Sequence, residues 1–482
     1  MWPDALAIEW GTWIATVLIV YSAAAFAAHL ALALLASDEV GAQRRRQLLT
    51  DPLHLFGSSQ APAISILVPA RNDARTVVEA VRALLRLDYP ALEVVVVNDA
   101  SSDGTLDRLI AAFELGASKR APIASVPRGS VRGVYGAPHV PALTVVDMAK
   151  PGSRARAAGF ALAYARHPLV LVADAGTVLE RETLVRLALP FYEDTSVAAV
   201  VGVVRPSNGS VIERGNVTFC GRPASRIARF QTVEHLRAML SQRLAWGSED
   251  SVFLVPGTLG LFSRDALRAV DGFRAGNMGD DVDVCMRLQR EAAKNRKRAV
   301  VRCVSGAVVW TRVPESLRVL ARQRSRWYQA LAEALWFNRE MLFNARFKVR
   351  HGLAFLFHVV FELYGPVIEV VGQIALVMLL CRGDLDLPLF VVYFSVFIVG
   401  GTIPSLMAIA LERSACPRFQ RGSDLESLAV YALLENLGYR QITALWRIAG
   451  LWRALWRIRT WGGKSRRGRA APGVEEEAKA AA

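Results

Sequence analysis

Gln323, Arg324, Ser325, Arg326 and Trp327 stand where the charged half of a 482-residue chain gives way to an apolar half. An amide, two guanidiniums and an indole at that spacing suit phosphate and sugar. A guanidinium pairs with phosphate oxygens, and an indole offers an apolar face to a pyranose ring. The same five residues also fit an exposed basic helix face beside a membrane, where arginines gather for topological reasons. Carboxylates precede them. Asp99 and Asp174 each close an apolar run, and Asp280, Asp281 and Asp283 crowd the start of a helical pattern. Aspartates at strand tips can serve a nucleotide and metal site, or can simply cap a helix or a turn. Crowding raises the pKa of at least one of the three later aspartates, as a general base requires. The same charges would also complement a helix N-terminus.

The elements that must position these groups show as apolar runs. Residues 64–69 and 92–99 read as buried strands with helical spacing over 76–87 between them, a βαβ unit implying a parallel sheet and an α/β fold. Further strands are expected at 143–147, 169–174 and 197–204, with an Ala-rich helix before the second of these. Ligands of such sheets bind beyond the C-terminal strand ends, where Asn98, Asp99 and Asp174 fall. A basic amphipathic helix is expected over 229–243, a glycine-punctuated stretch where backbone could approach a ligand over 253–262, and a basic helix carrying Gln323 to Trp327 over 314–340.

A hydrophobic content of 53% is high for a wholly soluble enzyme. Residues 11–36 can cross a bilayer, and Arg44, Arg45 and Arg46 after them put the following segment in the cytoplasm by the positive-inside rule. Runs over 352–380 and 387–411 form a hairpin turning at Arg382-Gly383-Asp384. Glu362 and Glu369 inside it are costly unless they face the bundle interior or a polar channel. A partial span is expected over 425–437, and alternating indoles and guanidiniums from Trp446 to Trp461 suit a helix in the headgroup region. The division is therefore 1–50, N-terminal transmembrane helix and basic flank; 51–345, cytoplasmic catalytic domain with an interfacial helix; 346–415, transmembrane hairpin; 416–465, interfacial or partly spanning helices; 466–482, disordered tail. The net charge of +15 sits beside apolar runs, which favours anionic lipid, and no nucleic-acid motif is present. Five scattered cysteines read as thiols of a reducing compartment, with no zinc spacing.

Taken in order, Val97-Asn98-Asp99 with its Ser-Asp-Gly-Thr turn, the strand ending in Asp174, Gly279-Asp280-Asp281-Val282-Asp283 and Gln323-x-x-Arg326-Trp327 resemble the processive, membrane-bound family 2 glycosyltransferases. That group contains the cellulose, chitin, hyaluronan and poly-N-acetylglucosamine synthases. The resemblance covers about residues 60 to 465 and implies a GT-A-type nucleotide-sugar-binding domain with N- and C-terminal transmembrane helices at the plasma membrane. It also implies a nucleotide-sugar donor, a divalent metal (Mg or Mn) and inversion at the anomeric centre. A hexose or N-acetylhexosamine would pass to a growing polysaccharide or a lipid-linked acceptor, with an export partner possible. By position Asp99 would hold the nucleotide, Asp174 the diphosphate and metal, Asp281 would be the general base supported by Asp280 and Asp283, and Gln323, Arg326 and Trp327 would bind acceptor and diphosphate. Two departures stand out. The family's Asp-x-Asp reads Asp174-Ala175-Gly176 here, and its Gly-Lys-Ala segment reads Gly152-Ser153-Arg154-Ala155-Arg156. Either Arg154 or Arg156 partly replaces the cation beside the diphosphate, or the donor site is degenerate and the chain is a membrane scaffold or accessory subunit.

Overall fold

The computed structural model describes residues 4–49, 61–126, 129–213, 216–253, 259–274, 279–342, 344, 347–415 and 417–456. In chain order the strands are β1 (Ile64–Ala70), β2 (Leu92–Asn98), β3 (Gly116–Ala117), β4 (Val131–Ala137), β5 (Val140–Met148), β6 (Leu169–Val172), β7 (Thr177–Leu179), β8 (Val197–Pro206), β9 (Ser210–Glu213), β10 (Asn216–Cys220), β11 (Gly260–Ser263) and β12 (Val300–Thr311). β9 and β10 pair as a separate hairpin. The other ten form one sheet in the order β3-β4-β5-β2-β1-β6-β11-β8-β12-β7.

β5, β2, β1 and β6 run parallel, β11 is antiparallel to both neighbours, and β12 runs parallel to β8. The unbroken Val, Ile and Leu runs of β1, β2, β6 and β8 belong to strands covered on both faces, and β8 is buried along its whole length. From β1 the chain passes to β2 on one side and later to β6 on the other. β1 is thus a switch point, where a crevice opens beyond the carboxyl ends. Ala70 lies level with Asn98, and Leu67 with Val172, so Arg71, Asp99 and Asp174 emerge at one edge.

Among the described residues three helices are long and apolar enough to cross a membrane: Trp10–Arg46 near the N-terminus, and Val349–Arg382 and Leu387–Ser414 in the apolar half. The second contains a π-helical turn, His358–Leu363. It ends at Gly383, whose left-handed φ of 76° lets the Gly383 and Asp384 amides donate back to the Leu380 and Leu379 carbonyls. The first helix places Gly11 against the Asp384 carbonyl, so its N-terminal end lies beside this turn.

The opposite ends dock on the α/β domain through buried polar contacts. Gln43 donates to the Cys303 carbonyl at 2.8 Å and accepts from the Ser305 amide and hydroxyl at 2.9 Å, which pins the first helix to β12. Glu412 of the third helix pairs with Arg205 of β8 at 2.6 Å, both side chains being almost wholly buried. Arg350, at the start of the second, meets Asp250 at 3.1 Å.

Helix Gly422–Leu434 covers most of the expected partial span but is not among those long and apolar enough to cross. It breaks at Leu437 and Gly438 and resumes as Arg440–Leu455. That last helix lies along helix Leu317–Phe337, where Gly450 touches the Ser325 carbonyl and Tyr328, an approach that any side chain at 450 would block. Trp452 and Trp456 point away and are exposed. Glu362 and Glu369 face a cavity of about 150 Å³ between the apolar helices and the segment around Tyr439. There Glu362 accepts from Gln242 at 3.1 Å, and Glu369 pairs with Arg440. Cys220, Cys285 and Cys303 are buried free thiols and Cys381 is exposed, whereas Cys416 lies outside the described residues.

Candidate active site

The site residues fall into two groups. The first sits at the carboxyl edge of β2, β1 and β6. Asp99 follows β2, is 2% exposed, and accepts the Gly152 amide at 2.6 Å through Oδ1. Its Oδ2 faces Arg71 Nη1 at 3.5 Å. Burial pushes the Asp99 carboxyl above its ordinary range, against the Gly152 amide and the charges of Arg71 and Arg156. Arg71 also donates to the Gly152 carbonyl at 3.2 Å, so one peptide segment is tied to the ends of both strands.

That segment begins helix Arg154–Tyr164. Ser153 caps it by accepting the Arg156 amide, which sets Arg154 in the first turn beside β6. Arg154 Nε then meets Asp174 Oδ1 at 2.9 Å, with both side chains about one quarter exposed. The Arg156 guanidinium lies over the Phe160 ring at 5.6 Å from its centroid. Two residues beyond Asp174, a side chain added at Gly176 would meet nothing within 4 Å. No group of three His, Cys, Asp or Glu residues with metal-holding geometry occurs among the described residues. A divalent ion at Asp174 would share that carboxylate with the Arg154 guanidinium, without a second carboxylate at 176. These donors do not fit a two-carboxylate metal site.

The second group surrounds helix Leu317–Phe337. Gly279 packs so closely on Ala330 that an added Cβ would lie 2.8 Å from the Ala330 Cβ and 3.1 Å from its carbonyl oxygen. Glycine there lets helix Asp280–Lys294 begin directly against the helix carrying Gln323 to Trp327. Asp280 and Asp281 open this helix, and their side chains lie outside the described residues, as do residues 254–258 of the glycine-punctuated stretch. Asp283 is turned into the packing. It is fully buried, accepts Arg287 Nε at 2.7 Å and Asn338 Nδ2 at 2.9 Å, and faces Arg274 at 3.6 Å. It holds the end of the neighbouring helix in place.

Arg326 is exposed and Trp327 is 43% exposed, as a binding surface requires, and the Gln323 Oε1 is buried without a hydrogen-bond partner in the fold. Arg324 turns inward. Its guanidinium lies 4.9 Å from the Trp327 ring centroid and donates to Glu234 Oε2 at 2.6 Å. Glu234 also accepts Arg447 at 2.8 Å and the Tyr439 hydroxyl at 3.2 Å. Burial works against charge on Glu234, yet Arg324, Arg447 and Arg237 together hold its carboxyl down at about 2. His235 next to it touches Trp327 edge to face with ring centroids 6.4 Å apart. Burial, with Arg324 adding repulsion, lowers its imidazole to about 4.

Sequence reasoning missed three of these residues. Arg71 could have been found as a cation directly after a buried strand. Glu234 was hidden among the arginines of a basic helix, and Arg447 among the alternating indoles and guanidiniums assigned to the headgroup region.

A family model described as glycosyltransferase like family 2 matches residues 62–330, more than half of the chain. The poly-beta-1,6-N-acetyl-D-glucosamine synthase of Staphylococcus epidermidis is 23% identical over 290 residues, 60% of this chain and 58% of that protein. The probable glycosyltransferase YdaM of Bacillus subtilis is 25% identical over 273 residues, 56% of this chain and 55% of that protein. The chain thus spans a little over half the length of these curated relatives. Among solved structures, the mannosyltransferase PcManGT of Pyrobaculum calidifontis, in complex with GDP-Man and Mn2+, superposes with a TM-score of 0.53 at 20% identity, covering 92% of this chain and all of that one. That likeness is one of fold.

Proposed function

Because the chain belongs to glycosyltransferase-like family 2, we propose that it is an inverting glycosyltransferase. It moves a hexose or N-acetylhexosamine from a nucleotide sugar to a growing polysaccharide or lipid-linked acceptor at the cytoplasmic face of the plasma membrane. The observation that carries this reading is the seating of Gly279 on Ala330, which starts the Asp280-Asp281 helix against the Gln323 to Trp327 helix. Acceptor platform and candidate base are thereby built as one unit. N-acetylglucosamine is a reasonable first donor to test, since the Staphylococcus relative is a poly-N-acetylglucosamine synthase.

The division of labour follows from position. The nucleotide lies at Asp99 and the diphosphate beside the Arg154–Asp174 pair, beyond the ends of β2 and β6. An acceptor sugar stacks on Trp327, with Gln323 and Arg326 binding its hydroxyls and the departing diphosphate. Asp281 takes the proton of the acceptor hydroxyl as that oxygen bonds to the anomeric carbon. The bond from that carbon to the diphosphate oxygen breaks on the opposite face, and its electron pair leaves with the nucleoside diphosphate. A divalent ion accompanies the nucleotide sugar in the Pyrobaculum enzyme; in this chain Asp174, where the resemblance would put one, is paired with Arg154 instead. Arg44 to Arg46, following the first apolar helix, support a cytoplasmic domain.

The test is release of nucleoside diphosphate from UDP- and GDP-sugars by purified membranes, compared with Asp281→Asn. A drop of at least about 100-fold is expected, in the range of a lost general base. Equal release from both proteins removes Asp281 from this role. The rival reading, a donor-site-degenerate scaffold, is favoured by Gly176 and by the Arg154–Asp174 pair. It requires that no nucleotide sugar binds at all.

A further inference from the structure

We propose that Arg154 is the resident cation of the diphosphate site, so that nucleoside diphosphate binding in this chain does not depend on a divalent metal. The inference rests on the proposed glycosyl transfer and concerns how its leaving group is held.

Three guanidiniums, Arg71, Arg154 and Arg156, gather at the carboxyl edge of the sheet around two carboxylates, Asp99 and Asp174. Asp147 at the end of β5 is paired with Arg132 at 2.8 Å, so these three guanidiniums outnumber Asp99 and Asp174, an arrangement that favours a diphosphate over a divalent cation. The fixed geometry points the same way. Arg154 is placed by the capped first turn of its helix rather than by a loose surface chain, and its Nε engages Oδ1 of the one carboxylate that a metal would share with it. With the pair about one quarter exposed, a ligand can reach it. Position 176 offers no second ligand, although it has ample room for one, since an added Cβ there would have no neighbour within 4 Å. The absent carboxylate is thus a matter of residue type rather than of space. Asp174 orients Arg154, and Arg154 meets the phosphates.

The experiment is titration calorimetry of the full chain in detergent with UDP and GDP, in EDTA and in Mn2+. Wild type is expected to bind one of them in EDTA within about threefold of its affinity in Mn2+. Arg154→Ala should weaken binding in EDTA at least about tenfold, with Arg154→Lys between the two, because lysine keeps the charge and loses the fork. Gly176→Asp combined with Arg154→Ala should recover binding only when Mn2+ is present. Thermal unfolding of each variant separates lost binding from lost folding, and the lysine variant retains a cation beside Asp174. Binding by wild type that requires Mn2+ and is unchanged in Arg154→Ala overturns this proposal alone. Absence of nucleotide binding under every condition overturns it together with the transferase reading.

Discussion

Glu234→Gln tests whether the buried cage behind the acceptor platform holds that platform in place. In the wild type one carboxylate serves Arg324 at 2.6 Å, Arg447 at 2.8 Å and Tyr439 at 3.2 Å. Glutamine keeps the shape but turns one acceptor oxygen into a donor facing guanidinium hydrogens, and it leaves two cations without their counter-charge. Two routes to the cost agree. A carboxyl held at about 2 instead of its ordinary 4.5 contributes about 3 kcal/mol at neutral pH. Breaking a buried ion pair from one side costs about 3–5 kcal/mol, and the 28% exposure of the Arg447 side chain favours the lower figure. About 3 kcal/mol corresponds to a fall in Tm of about 5 °C in a domain of this size. Because the folded carboxyl is depressed, its contribution is complete above pH 4.5 and is lost as pH falls toward 2. The assay is thermal unfolding in detergent at pH 7, paired with kcat and acceptor KM. Arg324 carries the Trp327 indole on its face, so KM for the acceptor should rise more than kcat falls. A variant with unchanged Tm and unchanged acceptor KM would refute the idea that this cage supports the platform.

The neighbouring imidazole gives a second pH signature. His235 is held at about 4, below its ordinary 6.5, so the unfolded chain binds its proton first and stability should fall as pH drops from 6.5 toward 4. His235→Gln should flatten that part of a Tm-against-pH curve, and an unaltered slope would count against it. Gly279→Ala forces a methyl against Ala330 and should move the start of the Asp280 helix away from the platform. Displacement of reacting groups by about 1 Å can cost about 100-fold in rate, so kcat should fall far more than Tm, and a variant of wild-type rate would show that this contact does not set the geometry.

The parts of the fold that the chain displays openly are those with strong local patterns. β1, β2, β5, β6 and β8 are nearly continuous apolar runs, and the three long apolar helices are equally plain, because burial on all sides leaves little freedom in residue type. The edge elements are less visible. β4, Val-Arg-Gly-Val-Tyr-Gly-Ala, is half-exposed and carries two glycines, β7 has three residues, and the β9–β10 hairpin lies largely in solvent. The insertion of β11 between β6 and β8 is a long-range pairing with no local signal. The same distinction governs the site. Asp99 and Asp174 stand out because strand ends are marked by the change from apolar to polar residues. The Glu234 cage joins side chains 90 and 213 positions apart, which no spacing rule reaches. Asp283 shows the same distinction. In sequence it belongs with two other aspartates, whereas in space helical geometry turns it by two residues onto the face that meets Arg287 and Asn338.

Buried polar contacts also decide how the apolar helices can sit on the domain. An apolar interface tolerates small sliding movements, since its energy follows area, whereas a hydrogen-bonded pair tolerates one register. Gln43 on β12, Glu412 on Arg205 of β8 and Arg447 on Glu234 each join a C-terminal or N-terminal helix to the domain in that restrictive way. The third joint lies behind Trp327, and Glu234 and Arg447 also line the cavity that contains Glu362 and Glu369. Loosening it by Glu234→Gln should therefore disturb acceptor binding while leaving the other two joints intact. Loosening the second by Arg205→Met should lower stability by about 3–5 kcal/mol without a change in acceptor KM. If the two substitutions gave the same pattern of Tm and KM, the joints would be interchangeable anchors, and the special position of the cage behind the platform would have no functional consequence.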